Sequence, residues 1–351
     1  MDIRDIARLS GYSVGTVSRV LNDHPGVSVR ARERVLEVVR EVGYEPNTNA
    51  RHLKMRGRAS FAIMVKGMQN LLFNDIIEKA EGLFAEADEE ARVHFVDEDA
   101  DEVARAAHLD KIRHPKGFLF LGGDPNNFRG SFDQIGVPCV LLTNTAEGWG
   151  LTGLSSFSTD DEAAAEAVID HLWECGHRRI GVLGGNRKVS EVSGHRLAGV
   201  VRAFEAHGAR FDVDRWYEPC RFSMGAGYEA AMRLLERADD LTAVFAFGDV
   251  IALGALRAAT DRGFRVPVDI SLVGFDGVDV SQYSVPRLTT VRQDTGLLAR
   301  RGVEALLAAT RGEGASAVHE SVPFRLLRRE SVLSLLPAST ASAVGVEGGR
   351  S

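Results

Sequence analysis

Five polar side chains suited to reading base edges, Ser13, Thr16, Ser18, Arg19 and Asn22, fall within one ten-residue stretch near the amino terminus. Arg19 can pair with a guanine edge or a phosphate, Thr16 and Ser18 can make smaller polar contacts, and Val14 can touch a thymine methyl. Gly15 adds no side chain there; it costs about 1 kcal/mol of helix propensity relative to Ala while allowing close backbone approach. No comparable constellation for catalysis is present. The sequence contains no G-x-S-x-G elbow and no H-E-x-x-H, and the Gly-rich GVLGGNRK from Gly181 fits neither the dinucleotide fingerprint nor the P-loop. Cys139, Cys175 and Cys220 are widely separated, which suggests buried thiols rather than a disulfide framework or a zinc site. The expectation is a binding protein with no cofactor and no metal, not an enzyme.

The polar face needs a scaffold, and the spacing around it is that of a helix-turn-helix. Ile3, Ile6 and Leu9 recur at helical intervals, Ala7 is small where two helices cross, and Gly11 occupies the turn. Ser13 restarts the chain as an N-cap, after which Val14, Val17, Val20 and Leu21 form an apolar face. A third helix is expected from about Arg30 to Val42, with Val35, Leu36, Val39 and Val42 closing a three-helix core over residues 1–45. Any small helical bundle would fit this pattern, so charge has to separate the readings. Residues 1–60 hold 11 Lys or Arg against 7 Asp or Glu, a net of +4, whereas the whole chain is −7. The remaining residues are therefore −11, and a basic head on an acidic body fits duplex DNA, whose phosphates dominate protein affinity.

TVSRVLN at Thr16, GYEPN at Gly43 and ARHL at Ala50 are similar to the LacI/GalR family of bacterial transcription regulators, and the likeness extends over most of the chain. In that family PN-x-x-AR-x-L forms a hinge helix, matched here by Pro46, Asn47, Ala50, Arg51 and Leu53 within a segment of 46–60. The resemblance implies a homodimer on a palindromic operator. Its paired hinges would enter the minor groove, Leu53 would wedge into a base step, and Arg51 and Lys54 would face phosphates. Independently of any family, about eight residues containing Asn47, Thr48, Asn49 and His52 are too few to be helical alone. Such a segment folds only against a partner, which suits a switch. A plain linker is the alternative, and Gly57, Arg58, Ala59 and Ser60 read as one.

The rest of the 351-residue chain is long enough for two α/β lobes. Apolar runs such as FAIMV at Phe61, GFLFLG at Gly117, AVFAF at Ala243 and ISLVGFD at Ile270 alternate with helical patterns, as in parallel sheets covered on both faces. No run of about eighteen apolar residues and no signal segment is seen, so a cytoplasmic protein without a membrane is expected. The resemblance implies the type I periplasmic binding protein fold. One lobe would take 61–159 plus 292–320 and the other 160–291 plus 321–335, leaving 336–351 as a flexible tail without leucine heptads.

Ligands of open α/β sheets bind beyond the carboxyl ends of the strands. By resemblance, the effector contacts there are Gln69, Asn70 and Phe73 after the first strand, Arg196 in GHRLAG with two parallel donors, Phe222 in RFSMG, Asp276 in VGFDG and Gln293 in TTVRQD. Leu71 and Leu72 depart from the family pattern. Gly248 stands where the family usually has Asn, which leaves Asp249 as the remaining polar candidate there. An aromatic face with a carboxylate suits a sugar, and repression is the commoner mode in the resembling family. A nucleobase or other non-sugar effector, or a cytoplasmic small-molecule binding protein without DNA activity, are the alternatives.

Overall fold

The computed structural model describes residues 3–21, 27–42, 60–186, 191–313 and 316–336. It divides into two compact units, 1–59 and 60–351. The first contains α1 (Ile3–Ser10), α2 (Val14–Leu21) and α3 (Val29–Glu41). Ile6, Ala7, Val17, Val20, Val35 and Val38 form its core, with Tyr12, Val27, Val39 and Val42 packed around them. Leu9 and Leu36 lie outside that core and are exposed. Val38, not Leu36, joins Val35 on the buried face of α3, because position 38 lies almost one turn after 35 whereas 36 is rotated about 100° away from it. Gly11 has φ +74, the left-handed conformation that the turn requires.

The second unit is two stacked α/β lobes. Lobe 1 is built on β1 (Phe61–Lys66), β2 (Ala91–Val96), β3 (Phe118–Leu121), β4 (Cys139–Leu142), β5 (Leu154–Thr159) and β11 (His319–Val322). These lie in the order β11-β5-β4-β3-β1-β2, and every pairing is parallel. Its faces are covered by α4 (Leu71–Glu86), α5 (Glu102–Arg113), α6 (Pro125–Ser131) and α12 (Thr295–Thr310). Lobe 2 uses β6 (Ile180–Gly184), β7 (Tyr217–Pro219), β8 (Ala243–Ala246), β9 (Ser271–Asp276), β10 (Thr289–Gln293) and β12 (Phe324–Leu327), in the order β12-β10-β9-β8-β6-β7. Only β12 runs antiparallel, against β10. The lobe 2 helices are α7 (Asp161–Glu174), α8 (Glu191–Ala206), α9 (Val213–Trp216), α10 (Met224–Arg237) and α11 (Asp249–Asp261).

The chain passes between lobes after Thr159, after Gln293 and after Val322. Two of these crossings lie a residue or two from the boundaries expected at 292 and 321. Pairing runs to the ends of the strands: Gln293 is still in register with Phe324, and Val322 with Thr159. Strand β5 is not an apolar run, because Ser155, Ser156 and Ser158 interrupt it. Ser156 is nevertheless buried, accepting the Ala146 N–H at 2.9 Å and bonding His319 Nδ1 at 2.8 Å. No helix among the described residues is long and apolar enough to cross a membrane.

Candidate functional site

In the first unit, α2 presents the polar face that the spacing predicts. Ser13 Oγ accepts the Thr16 N–H at 3.2 Å and lies 3.0 Å from Thr16 Oγ1, so it caps the helix. Val14, Gly15 and Arg19 are exposed and Thr16 is half-buried, while Val17 and Val20 turn inward. A Cβ built on Gly15 would meet nothing closer than Ser13 Oγ at 3.8 Å, so the backbone there is open to approach. Ser28 caps α3 by accepting the Ala31 N–H at 3.3 Å, a cap the sequence reading passed over. The Ser18 side chain and Asn22, Asn47, Ala50, Arg51, Leu53 and Lys54 lie outside the described residues.

In the second unit, a cavity of about 750 Å³ opens between the lobes at the carboxyl ends of their strands. Gln69, Asn70, Phe73, Arg196, Phe222, Asp276 and Gln293 all line it. Asn70 is also the N-cap of α4, its Oδ1 accepting the Leu72 N–H at 3.1 Å. Phe73 points from the first turn of that helix and belongs largely to the lobe 1 core. A Cβ on Gly122 would lie 3.2 Å from its ring, so the positive-φ glycine after β3 makes room for the aromatic.

The floor of the cavity is a connected polar chain. Thr159 donates to Gln293 Oε1 at 2.8 Å, and Gln293 Nε2 donates to Asp276 Oδ1 at 2.8 Å. Two of the inter-lobe crossings are thereby tied to the carboxylate ending β9. Asp276 has φ +109, an unfavourable backbone for a residue with a Cβ, and Gly277 follows at φ +70. Burial pushes the Asp276 carboxyl up to about 7 despite Arg196 and Gln293, with the nearby Asp161 adding to the rise.

Arg196 is buried and stacks 3.5 Å from the centre of the Phe275 ring. Its Nε donates to Asp161 Oδ1 at 2.7 Å and its Nη1 to the Phe247 carbonyl, while Nη2 sits 4.0 Å from Asp276 Oδ1. Two nitrogens are thus engaged by protein, so the guanidinium does not present an open two-pronged fork. Burial raises the Asp161 carboxyl above its ordinary range, with Arg196 pulling the other way.

Asp249 does not reach the cavity. It is fully buried at the start of α11, where Oδ1 accepts from Thr290 Oγ1 at 2.6 Å and Oδ2 from the Val278 N–H at 2.8 Å. A Cβ on Gly274 would come within 2.2 Å of that carboxylate, so the glycine in β9 leaves it space. Asp249 braces the turn after Asp276 from below, and burial with the Asp276 charge drives its own carboxyl well upward. The position above it is filled differently: a Cβ on Gly248 would lie 3.2 Å from the Phe222 ring and 3.5 Å from Asp276 Oδ2. Phe222 occupies the space that a larger residue at 248 would need.

Other lining residues carried no motif in the sequence. Asn127 Nδ2 donates to Glu102 Oε2 at 2.8 Å and Asn144 Nδ2 to the Gly123 carbonyl at 3.2 Å. Glu191, the first residue of α8, accepts from Trp149 Nε1 of lobe 1 at 2.8 Å, a second tie between lobes. Charge on the lining is predominantly acidic, with Asp97, Glu98, Asp99, Asp124, Glu191 and Asp276 against Lys66, Arg196 and Arg221. Each of those cations already contacts a carboxylate. No group of His, Cys, Asp and Glu side chains among the described residues could hold a metal ion.

Comparison with known proteins agrees with both units. Residues 2–47 match the family described as bacterial regulatory proteins, lacI family, and residues 169–332 match a periplasmic binding protein-like domain. The HTH-type transcriptional regulator MalR of Clostridium butyricum is 34% identical over 344 residues, covering 95% of this chain and 100% of that protein. The HTH-type transcriptional repressor CytR of Escherichia coli is 29% identical over 336 residues, covering 95% and 96%. Among solved structures, the lac repressor dimer bound to operator and the anti-inducer ONPF superposes with a TM-score of 0.71 at 25% identity, covering 95% of this chain and 99% of that one. A complex of the transcriptional regulator CelR with cellobiose gives 0.68 at 27% identity, covering 94% and 99%. The chain belongs to the lacI family of bacterial regulatory proteins: it is a DNA-binding transcriptional regulator and not an enzyme.

Proposed function

We propose that this regulator is a cytoplasmic repressor that binds a palindromic operator as a homodimer and is switched by an uncharged sugar of about disaccharide size. The observation that carries the effector reading is the inter-lobe cavity. Two phenylalanines, the Asp276 carboxylate and several amide side chains face about 750 Å³, a volume that suits more than a single sugar ring. Its acidic surplus disfavours phosphorylated sugars, nucleotides and organic acids, because a bound anion would meet carboxylates and cations that are already paired. The cellobiose complex of the similar regulator CelR supports the same class.

The exposed face of α2 supports DNA reading by Arg19, Thr16 and Val14. Asn22, Asn47, Ala50, Arg51, Leu53 and Lys54 are assigned to DNA on their sequence motif. The dimer is supported by Tyr283 and Val285, which are 72% and 91% exposed after β9, and by the dimer on operator formed by the similar lac repressor. The test is a thermal-shift screen of neutral disaccharides, monosaccharides, sugar phosphates and nucleobases. Stabilisation by a neutral sugar is expected. Stabilisation by a nucleobase or a sugar phosphate alone would contradict this reading.

A further inference from the structure

We propose that Arg221 is a positioning residue: gripped by an acidic turn of the opposite lobe, it latches the lobes together and sets Phe222 against the effector, so that even an uncharged effector binds with an affinity that depends on ionic strength. The inference rests on the reading of Phe222 as an effector contact.

The turn between β2 and α5 carries Asp97, Glu98 and Asp99 in succession. Arg221 reaches across the cleft from the loop after β7. Its Nη2 lies 2.6 Å from Asp97 Oδ1 and 3.5 Å from Asp99 Oδ2, and its Nε lies 3.5 Å from Glu98 Oε2. The same Glu98 oxygen accepts the backbone N–H of Phe222 at 3.4 Å. Lobe 1 therefore holds both the side chain of Arg221 and the main chain of the next residue, whose ring abuts Gly248 beside Asp276. Parting the lobes would release that ring.

An effector touching both lobes binds the closed arrangement, and its apparent affinity scales with the fraction of molecules already closed. Arg221 is half exposed, so dissolved ions reach the latch, and screening shortens from about 10 Å at 0.1 M salt to about 3 Å at 1 M. A hydrogen bond from a neutral sugar to an arginine has no such dependence of its own. One guanidinium among three carboxylates corresponds to about a three- to tenfold change in affinity when the latch is broken.

The full chain would be titrated calorimetrically with cellobiose, maltose, lactose and glucose at about 50 mM and about 0.5 M sodium chloride. Backbone amide exchange across Cys220–Met224 would be followed in the ligand-free protein. For a sugar that binds, wild-type affinity should fall about three- to tenfold at high salt. Arg221→Gln should show the weaker affinity at both salts with faster exchange at Phe222, and Arg221→Lys should restore the salt dependence. Salt-independent wild-type affinity, or Arg221→Gln with unchanged Phe222 exchange, would overturn the latch and leave Arg221 a direct contact. If none of the four sugars binds, the sugar reading fails, while the exchange rates still decide the latch.

Discussion

On the proposed reading of Asp276 as an effector contact, effector binding becomes a titration. The Asp276 carboxyl ends β9 at 3% exposure, with Gln293 Nε2 at 2.8 Å and Arg196 Nη2 at 4.0 Å, and burial places its pKa at about 7. At that value it is ionised in about one molecule in ten at pH 6 and in about nine in ten at pH 8. An effector whose hydroxyls donate to the carboxylate should therefore gain up to about ninefold in affinity across that interval and little beyond it. Calorimetry at about pH 6, 7 and 8 measures this. Near pH 7 the binding heat should also vary with the buffer's ionisation enthalpy, because binding releases a fraction of a proton.

The effector-free protein should trend the other way. A carboxyl whose folded pKa is raised contributes stability that is fully present below its unfolded pKa of about 4 and is lost as pH rises through about 7. Asp276→Asn removes that slope, so the variant should gain on the wild type between about pH 4 and pH 7, by at most about 4 kcal/mol for a shift of some three units, and hold that gain above pH 7. Affinity that is flat from pH 6 to 8, with no buffer-dependent heat, would refute the role assigned to Asp276.

Arg196→Ala is expected to unfold the second unit more readily, not to give a clean loss of response. Asp161 and Asp276 would stay buried without their cation, at about 3–5 kcal/mol, read as a lowered melting temperature. Phe222→Ala supplies the cleaner phenotype: sugar affinity should drop about tenfold or more with melting nearly unchanged, since the ring is only half buried. Leu53→Ala should weaken operator binding at least about tenfold and leave the melting of the second unit untouched, as measured by anisotropy and calorimetry. Gly254→Ala should destabilise lobe 2 by about 1–3 kcal/mol, because the new Cβ would sit 2.1 Å from the Met224 carbonyl where α10 meets α11.

The head was legible because its signals are local. Ser13, Gly11 and the Val17/Val20 spacing act within a few residues, and the structure places them in the cap, the turn and the core. Leu36 was misplaced because Leu36 and Val38 are equally apolar, and only packing against α1 and α2 selects Val38. Of the cavity residues, Phe73, Arg196, Phe222, Asp276 and Gln293 stood out through short motifs. Glu191, Asn127, Asn144 and the Arg221 contacts did not, since each acquires its partner from a segment at least 21 residues away. Asp249 shows the converse. Its motif drew attention to the right loop, but Gly274 and Thr290, distant in sequence, draw its carboxylate under the site instead of into it.

On the proposed function, occupancy of the inter-lobe cavity governs DNA binding. The most direct measurement is the affinity of the full chain for a palindromic duplex selected from a random pool, taken with and without the stabilising sugar, in the wild type and in Phe222→Ala. The wild type should change operator affinity by about 5- to 150-fold on saturation, and Phe222→Ala should need at least about tenfold more sugar for the same change. A sugar that occupies the cavity while operator affinity stays constant would show that the cavity does not control DNA binding.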